Sequence, residues 1–294
     1  MFINDRADKN NVRQNVADYL LGLVKRKIEN EKAEGIMPTV KLWKSNKFKF
    51  EEKNERRTKK RHKTKAFNTS LKRIQTENVT LTTGQTVSVP KFVPELCEFI
   101  LQNVETTGIF RLAGSCFKQQ KIKLRLDEGG RLSDEDQLNV IDVASVLKLF
   151  LRELPEPLVP EQCHKLFLAC WSLENQEEAI LFATLVLPTE NLNLLIYLMQ
   201  FFKKVASFSS HNKMDSYNIS VCITPNIFPA QQLSGDQLFD SIEITKFLIE
   251  KSSDIGVITN KMQQQLEFEK KVGENKNNFL ITVLKYLKRI ICNC

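Results

Sequence analysis

The sequence predicts an all-α fold, and three observations support that prediction. Apolar residues recur at intervals of three and four through most of the chain, as on one face of a helix. Proline and glycine fall mainly at the ends of these periodic segments, where they end one helix and precede the next. The chain has 294 residues, 42% of them apolar, which is enough to form a sizeable core.

The first 79 residues are expected to hold one helix and a linker. Residues 12–28 predict an amphipathic helix within an N-terminal segment, 1–38, through a stripe of apolar residues: Val12, Val16, Tyr19, Leu20 and Val24. Residues 39–79 predict a flexible basic linker, because Arg56–Lys65 holds seven Lys or Arg residues that repel one another. This block fits a solvated linker, a nuclear-localisation signal, or a patch for anionic lipid or nucleic acid.

The charge is unevenly placed along the chain. The formal charge is +12 over residues 1–74 and −4 over residues 75–294. The basic excess therefore belongs to the N-terminal segment, and no nucleic-acid partner is expected for the folded domain.

The folded domain is expected over 80–262. A turn at Thr82–Gln85 precedes a helix that has Pro94 in its first turn and leads into Gly108. The octet Gly108–Ser115 predicts a loop in which Arg111 follows the apolar anchor Phe110, and Gly108 and Gly114 permit backbone angles that other residues avoid. Taken alone, such an arginine also fits a solvated surface residue or a local ion pair.

Two cations share a face of a later helix. Asp142 is expected to cap a helix over 143–153, which ends at Leu154-Pro155-Glu156-Pro157. Its core stripe is Leu147, Phe150, Leu151 and Leu154. Lys148 and Arg152 lie four residues apart and so project from one face, either as a solvated basic edge or as a binding pair.

Further helices are expected at 117–126, 160–171, 176–186 and 189–206, and two short ones within 238–262. Between them, a short apolar helix carries Asn218 and ends at Pro225-Asn226. Half-buried asparagines often do no more than satisfy a backbone group.

The tail, 263–294, combines a polar linker with an amphipathic helix over 279–291 that is followed by Cys292 and Cys294. It fits a helix that docks on the core or on a partner, or a lipid-modified tail lying on an anionic membrane.

Self-contained catalysis is not indicated. The seven cysteines are odd in number and form no C-x-x-C pair, and the three histidines show no metal-ligand spacing. The chain has no G-x-x-x-x-G-K-[ST] phosphate loop and no apolar run of transmembrane length. We expect a cytoplasmic protein, with nuclear or membrane association through the basic stretch as an alternative.

Together, three segments resemble the sequence boxes of the RhoGAP domain family, the activators of Rho-family GTPases. They are Gly108–Ser115, the segment Leu147-Lys148-Leu149-Phe150-Leu151-Arg152-Glu153-Leu154-Pro155-Glu156-Pro157-Leu158, and Asn212–Met214 continued through Asn218 to Pro225-Asn226. The resemblance covers roughly residues 80–262. One departure is Thr224, which stands where many relatives have Gly or Ala.

The resemblance implies a RhoGAP-like helical bundle and a role for each matching residue. Arg111 would enter the active site of a GTP-bound GTPase of the Rho, Rac or Cdc42 type and stabilise the charge that develops during hydrolysis. Lys148 and Arg152 would hold the loop and meet the partner's switch region, Asn218 would contact the switches, and Asn226 would support the site. GTP and Mg²⁺ would belong to the partner, so no metal or cofactor of its own is expected. The alternative is a non-catalytic adaptor of the same fold.

Overall fold

The computed structural model describes residues 16–17, 19–27, 29, 65–132, 138–229 and 234–257. The chain divides into two units. The larger unit contains residues 56–164 and 188–255, and the smaller unit contains residues 1–55, 165–187 and 256–294. Apart from Lys65, the basic block lies outside the described residues, as do the predicted tail helix and both terminal cysteines.

The strands and helices from residue 76 onward follow a 3-10 turn at Leu71–Arg73. In chain order they are β1 Thr76–Thr80, β2 Thr86–Pro90, α1 Phe92–Gln102, α2 Cys116–Asp127, α3 Val140–Arg152, α4 Glu161–Trp171, α5 Gln176–Thr184, α6 Thr189–Ala206, α7 Ser209–Asn212, α8 Ser216–Ile227 and α9 Gly235–Glu250. The all-α prediction is confirmed, since the described residues are mostly helical. None of the helices in the described part of the chain is long and apolar enough to span a bilayer.

The larger unit is built around α6. This helix has the predicted bounds, and most of its residues between Leu194 and Val205 are buried. The strand β2 and the helices α8 and α9 pack against it. In α3, the predicted stripe of Leu147, Phe150 and Leu151 is buried as expected.

A small hairpin precedes the helices, and the helical periodicity did not predict it. β1 and β2 pair antiparallel with Thr76 opposite Pro90 and Thr80 opposite Thr86. The predicted turn joins them, with Gly84 at φ +82°. Val87 and Val89 of β2 are buried whereas β1 is largely exposed, so the hairpin covers the helical core with one strand only.

The described part of the expected linker, from residue 65 onward, contacts the helices. The backbone N–H groups of Ala66 and Phe67 both donate to the Asp127 carboxylate, at 2.8 and 2.9 Å. The Phe67 ring packs edge-on against Phe150 of α3, with centroids 5.8 Å apart. This part of the expected linker is therefore tied to α2 and α3.

The smaller unit contains the described part of the N-terminal helix. Its described positions between 16 and 29 are helical, and Val16, Leu20 and Val24 are buried, in agreement with the predicted stripe. In the same unit, Tyr19 lies 5.9 Å from the Phe182 ring of α5.

Candidate functional site

The Arg111 loop, Gly108–Ser115, begins with a tight turn fixed to α7. The Gly108 N–H donates to the Asn212 carbonyl at 2.8 Å, and the Gly108 carbonyl accepts from the N–H groups of Arg111 and Leu112. Gly108 has φ +80°, and a Cβ placed there would lie 2.9 Å from Leu112 Cγ. Glycine is therefore favoured at Gly108 by its backbone angle, and a larger residue there would also displace the Leu112 side chain.

Gly114 is required for a different reason from the one predicted. Its φ is not in the left-handed region, so backbone freedom does not explain it. A Cβ at Gly114 would lie 2.6 Å from Asp142 Oδ1 and 2.9 Å from Asp142 Cα. The absence of a side chain here lets the end of the Arg111 loop approach the backbone of α3.

Phe110 anchors the middle of the loop in the core. Its side chain is 1% exposed, and its ring packs edge-on against Phe202 of α6 with centroids 5.4 Å apart. Its backbone has φ +68°, an angle that costs a residue with a side chain about 1 to 2 kcal/mol. This angle lets the ring point inward while the next side chain points outward.

Lys148 of α3 contacts the middle of the Arg111 loop. Its ammonium donates to the Phe110 carbonyl. Burial lowers the pKa of Lys148 from its ordinary value; the charge of Arg152 acts in the same direction, and Cys222 opposes it. Arg152, one helical turn further on, is exposed.

Asp142 and Ser145 also bind the loop, a role that was not predicted for either residue. The expected Asp142 cap is wrong: α3 begins at Val140, and its N-cap is Asn139, whose side chain accepts from the Ile141 N–H. Asp142 instead accepts the Ser115 N–H at 2.6 Å, and Ser145 Oγ accepts the Gly114 N–H at 3.2 Å. The spacing of 142, 145 and 148 on one helix face was the signal that could have revealed this arrangement.

These contacts leave the tip of the loop facing solvent. Arg111 and Ala113 are exposed, and the Leu112 side chain is 49% exposed. A guanidinium is thus presented on a backbone that is held at the start, the middle and the end of the loop.

The third segment meets the loop through Asn212, a buried asparagine for which no role was predicted. Its Nδ2 donates to the carbonyls of Val104 and Val205 at 2.9 and 3.0 Å, and its Oδ1 accepts from the Met214 N–H at 2.8 Å. The amide therefore joins the end of α1, the end of α6 and the segment that leads into α8.

The two predicted asparagines lie on α8, which packs against α3. Both are half-buried; Asn218 Nδ2 donates to the Lys213 carbonyl at 3.3 Å and Asn226 Nδ2 to the Cys222 carbonyl at 2.9 Å. The helix continues past Pro225 to Ile227, slightly further than predicted.

Cys222 and Thr224 complete the inner side of α8. Burial raises the pKa of the Cys222 thiol, against the opposing charges of Lys148 and Arg111. Thr224 is fully buried, and its hydroxyl donates to Thr245 Oγ1 of α9 at 2.8 Å. The larger side chain at the departure from the family pattern is thus accommodated by a hydrogen bond.

The charged side chains that this site presents are cations. Within the described ranges, no three His, Cys, Asp or Glu side chains lie close enough together to hold a metal ion. What the site does present is an outward guanidinium with Lys148 and Arg152 on the adjoining helix, an arrangement suited to stabilising negative charge on another molecule.

Comparison with known proteins agrees with this geometry. A model of the RhoGAP domain matches residues 90–232. Human Rho GTPase-activating protein 11A is 31% identical over 179 residues, which is 57% of this chain and 17% of the relative. Mouse Rho GTPase-activating protein 24 is 38% identical over 144 residues, 47% of this chain and 19% of the relative. The chain thus spans about a fifth of the length of these relatives.

Solved structures show the same fold. The crystal structure of human Rho GTPase activating protein 15 matches with a TM-score of 0.58 and 22% identity, over 66% of this chain and 93% of that one. The BH domain from GRAF, the GTPase regulator associated with focal adhesion kinase, matches with a TM-score of 0.51 and 23% identity, over 56% of this chain and 92% of that one. Residues 90–232, which carry the Arg111 loop and the helices that hold it, are therefore similar to the RhoGAP domain.

Proposed function

We propose that this chain stimulates GTP hydrolysis by a Rho-family small GTPase, and that Arg111 is the group inserted into the partner's active site. The observation that carries the proposal is an exposed arginine at the tip of a loop whose backbone is bound at three points. The names of the relatives, all Rho GTPase-activating proteins, support the same class of partner.

The physical basis is electrostatic. During hydrolysis, negative charge spreads over the transferring phosphoryl group and the leaving oxygens, and a guanidinium supplied in trans stabilises it by donating to more than one oxygen. Because the Arg111 loop is already held before the GTPase binds, it needs little reorganisation when the complex forms. More of the interaction energy between Arg111 and the phosphoryl oxygens is then available to stabilise the transition state.

The neighbouring residues have proposed roles in the same complex. Lys148 holds the loop through the Phe110 carbonyl, and Arg152 meets the acidic switch surface of the GTPase. Asn218 contacts the switches near Arg111, and Asn226 supports α8 behind them. GTP, Mg²⁺ and the glutamine that orients the attacking water come from the partner.

A single-turnover assay tests the proposal. GTPases of the Rho, Rac and Cdc42 type are loaded with GTP and mixed with wild type, Arg111→Ala or Arg111→Lys. We expect Arg111→Ala to lose about 3 kcal/mol or more of transition-state stabilisation, roughly a hundredfold in rate, while affinity for the GTP-bound partner changes little. Lysine rescues poorly because it lacks the planar fork of donors.

Arg131→Ala is the matched control, because it removes another guanidinium from a loop of the larger unit. Arg131 is 84% exposed and pairs with Glu95 at 3.3 Å, an interaction that contributes little. Equal stimulation by wild type and Arg111→Ala would refute the catalytic role. Binding of a GTP-loaded GTPase without any stimulation by wild type would instead identify a non-catalytic adaptor.

A further inference from the structure

We infer that Asp142 is a positioning residue for the Arg111 loop: with Gly114 and Ser115 it forms a clasp that fixes the end of the loop to α3. This inference rests on the proposed function for its catalytic consequence, and on geometry alone for the clasp itself.

The clasp is buried and closely packed. Asp142 is 4% exposed, and its Oδ1 accepts the Ser115 N–H at 2.6 Å. Gly114 lies so close to α3 that even one added carbon would meet the backbone of Asp142, 2.9 Å from Cα and 3.2 Å from N. A short charge-assisted bond and a missing side chain thus act at adjacent residues to bring two backbones together.

The position of Asp142 in α3 leaves its carboxylate available to the Arg111 loop. The carboxylate lies in the first turn, where the helix dipole stabilises negative charge. Asn139 already caps the helix through its own side chain, so capping does not require Asp142. The second oxygen, Oδ2, lies 3.9 Å from Lys118 Nζ, whose side chain is partly exposed.

The clasp also sets where α2 begins. Ser115 is the N-cap of α2, and its side chain accepts from the Lys118 N–H at 3.5 Å. Because Asp142 holds the backbone N–H of this same residue, it fixes the start of α2 and the end of the Arg111 loop together. Only Arg111, Leu112 and Ala113 then lie between the Lys148 contact at Phe110 and the contacts of Gly114 and Ser115.

A short segment held on both sides restricts the directions that Arg111 can take. Lys148 acts before the arginine and Asp142 acts after it, from the same face of the same helix. Removing Asp142 therefore leaves that side of the segment held only by the Ser145–Gly114 hydrogen bond, without touching the arginine, its core anchor or the Lys148 contact. The expected loss is in the orientation of the guanidinium, which affects the catalytic step more than the affinity for the partner.

The test compares wild type, Asp142→Ala and Asp142→Asn in the full chain, by amide hydrogen exchange over residues 108–115 and by single-turnover GTP hydrolysis. In Asp142→Ala we expect exchange of the Ser115 N–H to become roughly tenfold faster, as for loss of one hydrogen bond to a charged group. We expect the maximal stimulated rate to fall roughly tenfold while half-saturation by the GTPase changes by less than about twofold. Asp142→Asn keeps an acceptor oxygen and should lie between the two.

Asp236→Ala is the matched control, because it also removes a first-turn carboxylate, from the exposed start of α9. It should leave both measurements unchanged. Unchanged exchange in Asp142→Ala would overturn the clasp, whatever the activity. Faster exchange with an unchanged maximal rate would overturn the positioning role. If wild type itself stimulates none of the three GTPase types, the proposed function fails and the catalytic consequence fails with it, while the exchange data still decide the clasp.

Discussion

Phe110 offers the sharpest test of how the loop is built, because two substitutions there separate the ring from the backbone. The side chain is 1% exposed and packs on two rings of α6, with centroids 5.4 Å from Phe202 and 6.2 Å from Phe201. Removing such a ring leaves a cavity, so Phe110→Ala should destabilise the protein by about 3 to 5 kcal/mol.

The backbone angle of Phe110 predicts that glycine is better than alanine at this position. At φ +68°, alanine has the left-handed penalty of about 1 to 2 kcal/mol that glycine avoids. The greater freedom of glycine in the unfolded chain offsets about 0.4 to 1 kcal/mol of that advantage. Phe110→Gly should therefore be more stable than Phe110→Ala by roughly 0.5 to 1 kcal/mol.

Phe202 provides the matched control within the same aromatic cluster. It is fully buried in the interior of α6, where glycine is less stable than alanine by about 1 kcal/mol. The four variants are compared by urea unfolding followed by far-UV circular dichroism. Opposite orders of glycine and alanine at the two positions support the strained loop. The same order at both positions would refute the left-handed backbone at Phe110, and with it our account of how Arg111 faces outward.

Two further predictions concern buried polar groups near the loop. Asn212→Ala should destabilise the protein by about 3 kcal/mol in the same urea assay, because it leaves buried carbonyl and N–H groups without their partner. The control is Asn103, whose exposed amide donates to the Phe99 carbonyl at 2.9 Å. Asn103→Ala should change the unfolding free energy by less than about 1 kcal/mol. Lys148 binds protons less readily in the native state than in the unfolded state, so its contribution to stability should rise with pH up to its ordinary value of 10.5. Measured between pH 7.5 and 10, the unfolding free energy of wild type should therefore rise relative to that of Lys148→Met, and a difference that stays constant or falls would contradict the lowered pKa.

Local pattern predicted most of the helices. Pro188 and the apolar run that follows it predicted the bounds of α6, and the stripe of α3 predicted which of its residues are buried. Apolar spacing predicts burial in α3 because a helix buries one face, and the residues of that face recur every three or four positions. The three segments, taken together, also indicated Arg111, Lys148 and the two asparagines of α8.

Contacts between distant segments assign the roles of three residues that local pattern did not predict. Asn139 and Asp142 lie three residues apart and are both good capping residues, and only the proximity of the Ser115 N–H assigns Asp142 to the loop. In the sequence, Asn212 cannot be told from other polar loop residues. In the structure, the ends of α1 and α6 bring two carbonyls to its amide. Likewise, the left-handed angle of Phe110 follows from the ring entering the core, and no local preference of phenylalanine predicts it.

Residue spacing along the chain therefore predicts that it is helical and that Lys148 and Arg152 share one face of a helix. The groups that hold the Arg111 loop in place follow from the packing of the helices: they are Asp142, Ser145 and Lys148 of α3, and the Asn212 carbonyl of α7. The two kinds of contact differ in the separation of their residues along the sequence. Helix formation depends on residues three or four apart, whereas the loop is held by hydrogen bonds to residues about 30 to 100 positions away, which only the packing of the helices brings together.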